Sequence, residues 1–259
     1  MRDDGINITA KMSCTCQCIN VSHITADTVS LEFIWPGPAP RGGQFFLVKP
    51  RWTGVFLGRP ISAAGWKPGG ILRFFVTRHG QGSREITELR SGEDAKIIGP
   101  LGNSWAQVDD PMQKTAGPVA LVGGGTGIAS LLMYAQEQGN RPFDFYAGFK
   151  TASYGLEDIK PRSLVIATED GSLGLHGQIT EFFSPLGYSG VFACGPEPML
   201  KMIGDVCITN RIPCFISLER HMACGVGACL GCTVRTTSGN RTCCSDGPIF
   251  DAQEVCFDK

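Results

Sequence analysis

The sequence predicts an α+β multidomain chain: an antiparallel β-barrel over residues 12–112, an α/β unit on a parallel sheet over 113–217, and a small cysteine-rich lobe over 218–259. Three observations carry this reading. Short runs of β-branched and aromatic residues, separated by Pro/Gly turns, fill the first part. Strand and helix patterns alternate through the second. Periodicity then fades where cysteines crowd together. A chain of 259 residues is long enough for two compact domains and an appendage.

In the first part, TVSLEFIW, GQFFLVK, RPISAAGW and ILRFFVTR read as strands, with PGPAPRGG and KPGG as turns. Several such strands suggest a small barrel, interrupted by one helix at SREITELR. The pattern changes after MQKTAGP. PVALVG, FDFYAGF, SLVIATE, GVFACG and PCFISLE read as strands, the last being the final one. GIASLLMYAQEQG, QITEFF and PEPMLKMIGDVCI read as helices. Pro196, just after a strand, suits a first helical turn.

Composition excludes several classes. A net charge of −1 leaves no field that favours nucleic acid or an anionic membrane. MRDDGINITA lacks the basic start and apolar run of a secretory signal; Met12 offers an alternative start after an unstructured extension. The apolar stretch Pro118–Ala135 contains GGGTG, which reads as strand–turn–helix and not as a membrane span. Twelve cysteines without an export signal point to a reducing, cytoplasmic setting, where clustered Cys bind metal or do redox chemistry.

The strongest motif is Cys224-Gly-Val-Gly-Ala-Cys229-Leu-Gly-Cys232 followed by Cys243-Cys244: C-x4-C-x2-C…C, the plant-type [2Fe–2S] spacing. Gly225, Gly227 and Gly231 let the loop fold tightly and turn its N–H groups toward the sulfurs. Cys243 and Cys244 compete for the fourth position, and spacing does not choose. The rival is structural zinc on Cys229-x2-Cys232, but no second C-x2-C pair exists. The second motif, Gly123-Gly124-Gly125-Thr126-Gly127, lies between a strand and a helix, where amides bind phosphate. It departs from the dinucleotide fingerprint: Ser130 stands at the third Gly, and the next strand ends in Gly148-Phe149-Lys150 without an acid. The third is Arg59-Pro60-Ile61-Ser62 with Gly82-Ser83. An Arg fork suits phosphate, and Ser83 can cap a helix whose first amides meet a pyrophosphate.

In this order these residues resemble the ferredoxin-reductase family, and within it the FAD and iron–sulfur subunits of NAD-linked, two-protein dihydroorotate dehydrogenases. The resemblance runs from about Val21 to Phe250. It is carried by Arg59–Ser62, GPLGNSW (99–105), GGGTGIAS (123–130), ATEDGSLG (167–174), ACGPEPML (193–200), SLERHMACGVGACLGC (217–232) and CSDGPIF (244–250). It implies a barrel that binds FAD, an α/β unit that binds NAD(P), and a [2Fe–2S] lobe. Arg59 would hold the FAD phosphates, with Pro60 and Ile61 beside it and Ser62 at the flavin edge. Val76, Thr77 and Arg78 would line flavin and ribityl, and Gly82 and Ser83 would receive the pyrophosphate. Gly123–Gly127 and Cys194-Gly195-Pro196 would flank the nicotinamide nucleotide, NAD(H), as substrate. Cys224, Cys229, Cys232 and, by the family pattern, Cys244 would ligate the cluster. The implied partner is an FMN-containing catalytic subunit in a heterotetramer of two of each. The chain departs from the pattern at Ser83 (Thr is usual), at Ala63 (a larger apolar residue is usual) and at Cys14-x-Cys16-x-Cys18. Strand alternation puts those three thiols on one face, as buried small residues or as a soft-metal site.

Hydride exchange takes electron pairs and a [2Fe–2S] cluster takes single electrons, so a flavin must stand between them. No catalytic acid or base is expected; His23, His79, His176 and His221 read as structural or surface groups. The expected function is electron transfer from the FMN partner through cluster and FAD to NAD⁺ in pyrimidine synthesis. The alternatives are a related subunit of an NADPH–ferredoxin, polysulfide or hydrogenase complex, and a non-enzymatic zinc module. Lys150 leaves NADPH open.

Overall fold

The computed structural model describes residues 11–52, 54–109 and 117–257; the expected extension before Lys11 lies outside them. Six strands form the barrel: β1 (Met12–His23), β2 (Thr28–Ile34), β3 (Phe45–Pro50), β4 (Arg59–Lys67), β5 (Ile71–Thr77) and β6 (Asp94–Leu101). They close in the order β1-β2-β5-β4-β3-β6, each neighbour antiparallel. Their inward residues make a core in which Phe46 meets Trp35 and Phe74 edge-on, with ring centroids 5.2 and 5.6 Å apart. Cys16 and Cys18 project into this core and Cys14 is half-buried. Burial pushes the Cys16 thiol up to about 12 and Cys18 to about 11, so these are buried small residues. Ala63 is likewise fully enclosed.

Two helices follow from barrel loops, α1 (Gln81–Thr87) and α2 (Trp105–Asp109). The α/β unit then runs β7 (Val119–Gly124), a 3-10 turn (Gly125–Gly127), α3 (Ile128–Glu137), β8 (Phe143–Phe149), β9 (Ser163–Thr168), β10 (Leu175–His176), a second 3-10 turn (Ile179–Phe182), β11 (Gly190–Cys194), α4 (Glu197–Thr209) and β12 (Cys214–Ser217). Beyond it lie a hairpin, β13 (Thr233–Thr236) and β14 (Gly239–Thr242), and β15 (Ile249–Asp251).

Seven strands make one sheet in the order β10-β9-β8-β7-β11-β12-β15. All pairs are parallel except the last, where β15 runs antiparallel to β12 with Ile216 opposite Phe250. Cluster-loop and barrel residues share one apolar core with the sheet: Phe45, Leu47 and Leu101 pack with Ala193, Ile216, Cys232, Cys244 and Phe250.

The structure corrects four details of the sequence reading. PCFISLE is not the last strand, because three short strands follow; β15 is three residues long, too short for a visible period. QITEFF forms a single 3-10 turn and no α-helix. DAKIIGPL, passed over in the sequence, is β6, with Ala95 and Ile97 turned inward. The helix expected at Ser83 begins at Gln81 with Gly80 as its N-cap, so Ser83 caps it from the third helical position, through the Gly80 N–H, and not as the N-cap residue.

Barrel and α/β unit meet where the Gly42 backbone lies on α3. A Cβ there would stand 2.5 Å from the Tyr134 nitrogen, and the Gly42 N–H donates to Glu137 Oε1 at 2.8 Å. The Trp105 indole N–H, fully buried, donates to the Ser130 carbonyl at 3.0 Å. Because the obstacle at Gly42 is backbone, Gly42→Ala should cost about 1–3 kcal/mol through overpacking. Urea denaturation of the variant measures this, and an unchanged midpoint would refute the close packing.

Candidate functional site

The residues singled out in the sequence gather in three places. The first is the mouth of the barrel. Arg59, Pro60, Ile61 and Ser62 open β4 half-exposed, whereas Ala63, Ala64 and Gly65 after them are buried. The Arg59 guanidinium crosses Gly82 so closely that a Cβ there would overlap it, and Arg59 Nη1 donates to the Leu57 carbonyl at 3.2 Å. The strand and the helix start, far apart in sequence, thus form one cationic corner without a side chain at its floor, a fit for a pyrophosphate. Ser83 occupies the third helical position. Its hydroxyl oxygen accepts the N–H groups of His79 and Gly80 at 2.8 and 3.1 Å, tightening the loop that enters α1. Val76 points into the barrel core, so only its backbone faces the mouth. Thr77 pairs with the Thr28 hydroxyl at 2.8 Å, and the exposed Arg78 donates to Thr87 Oγ1 at 3.4 Å.

The second place is the carboxyl end of the parallel sheet, where open α/β sheets bind ligands. Parallel pairing sets Cys194 on β11 opposite Gly123 on β7. The two following turns pack backbone on backbone: a Cβ at Gly127 would lie 2.6 Å from the Cys194 carbonyl oxygen. Gly123–Gly127 and Cys194-Gly195-Pro196 are therefore brought together. Ser130, at the departure from the fingerprint, is buried and donates to the Gly127 carbonyl at 3.3 Å, closing the turn internally. The Cys194 side chain belongs to the core and burial raises its thiol to about 12, so its backbone faces the cleft. Sequence reading passed over Glu219. It lies just past β12 with part of its surface open to solvent, yet desolvation by the protein packed around it raises its carboxyl, and His79 pulls the other way.

The third place is the cysteine loop. Among the described residues, no three Cys, His, Asp or Glu side chains converge on one point. Side-chain contacts link Cys224 with Cys229 and Cys232 with Cys244, and Cys244 also feels the charge of Cys224. A mononuclear zinc site needs three or four ligands around one point, whereas two irons bridged by sulfides take two thiolates each, so the pairs fit a two-iron centre. Backbone N–H groups face the sulfurs. Val226 and Cys229 donate to Cys224 Sγ, both at 3.4 Å, and Gly227 donates to Cys244 Sγ at 3.1 Å. The Cys244 N–H reaches Cys232 Sγ at 3.4 Å. The N–H groups of Val226 first, then Cys229, bring the Cys224 thiol down to about 6. Burial raises Cys244 to about 12, and such a thiol gives up its proton on metal binding.

The geometry also separates the two rivals for the fourth position. The fully buried Cys243 turns away and donates its S–H to the Leu218 carbonyl at 3.2 Å. Cys243→Ser should therefore leave the bound iron intact, while Cys244→Ser should lose it. Iron analysis and EPR of the reduced protein check the pair of variants, and the reverse pattern would reverse the choice.

A profile of the iron-sulfur cluster binding domain of dihydroorotate dehydrogenase B matches residues 219–256. Among relatives, the dihydroorotate dehydrogenase B (NAD(+)) electron transfer subunit of Clostridium acetobutylicum is 39% identical over 83% of this chain and 86% of its own length. That of Clostridium perfringens is 40% identical over 83% and 87%, and that of Caldanaerobacter subterraneus subsp. tengcongensis 33% over 91% and 95%. Among solved structures, a chain of the NADH-dependent reduced ferredoxin-NADP oxidoreductase superposes with a TM-score of 0.78 at 26% identity, over 93% of this chain and 89% of that one. The ferredoxin reductase of carbazole 1,9a-dioxygenase gives 0.68 at 22% identity over 82% and 70%, a likeness of fold.

Proposed function

The chain belongs to the family of electron-transfer subunits of NAD-linked dihydroorotate dehydrogenase B, and from that premise we propose which of its residues hold each group and how the fold serves the transfer. It is an oxidoreductase subunit that works with FAD, a [2Fe–2S] cluster and NAD(H), and that pairs with the dihydroorotate dehydrogenase catalytic subunit. When bound, the cluster would pass electrons one at a time and the flavin would combine two of them with a proton into the hydride that NAD⁺ accepts.

Arg59 takes the FAD phosphates in its fork, and Gly82 leaves room for that guanidinium to lie across the start of α1. Pro60, Ile61 and Ser62 line the flavin along β4, joined by the backbone of Val76 and Thr77 and the side chain of Arg78. Ser83 shapes the loop before α1 through its two backbone bonds. Gly123, Gly124, Gly125, Thr126 and Gly127 meet the nucleotide on one side, with Cys194, Gly195 and Pro196 on the other. Cys224, Cys229, Cys232 and Cys244 would hold the two irons of the cluster. The barrel (12–112), the α/β unit (113–217) and the cluster lobe (218–259) are the working divisions, although β15 of the lobe completes the sheet of the unit before it.

One observation carries the assembly. The cysteine loop sits on the barrel, where a Cβ on Gly225 would meet Leu47 Cδ1 at 2.8 Å. Leu47 pairs across the sheet with Pro60, so the barrel strand beneath the cysteine loop is the immediate neighbour, about 5 Å away, of the strand that would carry the flavin. An FMN-bearing catalytic partner, a complex of two subunits of each kind and a cytoplasmic location complete the proposal. The location is supported by twelve cysteines, all free thiols.

The isolated chain, with its cofactors, should oxidise NADH with artificial acceptors but leave dihydroorotate untouched; adding the catalytic subunit should couple dihydroorotate to NADH formation. Turnover of dihydroorotate by the chain alone would refute the division of labour. Arg59→Ala should weaken FAD by about 1.5–3 kcal/mol, the worth of a hydrogen bond to a charged group. Fluorescence titration of the apoprotein with FAD reads this, and unchanged affinity would remove Arg59 from the site.

A further inference from the structure

Two of the stretches that carry the resemblance, 99–105 and 244–250, lie against each other, and apart from Cys244 and the β15 pairing they have no role in the account above. The contact is made by Asn103, just past the end of β6. Its main-chain N–H donates to the Gly247 carbonyl at 2.7 Å. Its side-chain Nδ2 donates to the carbonyls of Ile249 at 2.9 Å and Asp246 at 3.3 Å. Its Oδ1 accepts the Ile249 N–H at 3.0 Å. Both amide protons and an oxygen lone pair are used, all on backbone of one short segment.

That segment continues the turn bearing Cys244, which is closed from within. The Asp246 carboxylate accepts the Thr242 N–H at 2.6 Å and its hydroxyl at 2.9 Å. The N–H groups of Ser245, Asp246 and Gly247 return to the Thr242 carbonyl at 3.3, 2.8 and 3.3 Å. Residues 242–247 therefore move as one unit, and a pull on Asp246 and Gly247 is felt at Cys244. Two residues before Asn103, Leu101 packs on the other ligand-bearing piece: a Cβ at Gly225 would lie 3.0 Å from Leu101 Cδ1. The four sulfurs come from two separate pieces of chain, and Leu101–Asn103, leaving the barrel, touches both.

We propose that Asn103 is a positioning residue for the iron–sulfur centre: by holding the 246–249 backbone it sets where the Cys244 sulfur stands relative to the Cys224–Cys232 loop and the flavin barrel. The proposal rests on the family reading and on Cys244 as fourth ligand. Asparagine suits the task because the segment offers both a donor and acceptors. Aspartate of the same shape can receive the Ile249 N–H but gives nothing to the two carbonyls.

The test uses the purified subunit in complex with its catalytic partner, with wild type measured first. A wild type without a [2Fe–2S] EPR signal after reduction would bring down the cluster reading, and this proposal with it. Given that signal, Asn103→Asp and Asn103→Ala should release iron to a chelator about 10–100-fold faster, the usual range for removing a group that orients a metal ligand. Their EPR spectra should shift or broaden while FAD content stays at the wild-type level. Asp246→Ala, which opens the turn from inside, should reproduce both effects and serves if Asn103→Ala does not fold. If the Asn103 variants only lower the melting temperature, with EPR spectrum and iron-release rate unchanged, Asn103 is an ordinary loop tether and the proposal fails.

Discussion

The antiparallel pairing of β15 with β12 holds the rest of the arrangement in place. After β12 the chain leaves the sheet, forms the cysteine loop and the β13–β14 hairpin, and would be a loosely attached tail if nothing returned it. Ile249, Phe250 and Asp251 close it by adding an edge strand, reinforced where the Leu218 N–H reaches the Pro248 carbonyl at 2.9 Å. The return places Cys232, Cys244 and Phe250 in the same apolar core as Phe45 and Leu47 of the barrel. Electron transfer between two groups needs a fixed separation, and a shared core supplies it because close-packed interiors do not deform continuously.

Around the sulfurs, the backbone does what side chains do elsewhere. N–H groups from Val226, Gly227, Cys229 and Cys244 point at the thiols, a set of dipoles that favours negative charge on sulfur. The loop also exposes Val226 and Leu230 to solvent beside an exposed Cys229. One side of the centre therefore faces outward, while Cys232 and Cys244 face the protein.

The nucleotide end follows a different rule. Parallel strands end together, so the turns after β7 and β11 are neighbours by pairing alone. Contact between Gly127 and the Cys194 carbonyl leaves no room for a side chain. The sheet builds a smooth backbone floor there, next to the barrel strand that carries Arg59–Ser62.

Much of this was legible in the residues. β2 to β5 announced themselves by aromatic and β-branched runs between Pro/Gly turns, and the strand–helix alternation after residue 117 by its change of period. Cys224, Cys229 and Cys232 stood out because a tight loop imposes a spacing on its ligands. These are local signals, set by propensity and pattern over a few residues. Tertiary structure decided what depends on residues distant in sequence. Cys243 and Cys244 are adjacent, and only the surrounding fold turns one sulfur to the Leu218 carbonyl and the other to the Gly227 amide. β15 has no period to read, because three residues pair only when β12 is already there to receive them. Arg59 reaches Gly82, and Asn103 reaches a segment 146 residues later, for the same reason: a hydrogen bond or a close packing between distant residues leaves no local pattern, and forms only when the folded core brings both partners to one place.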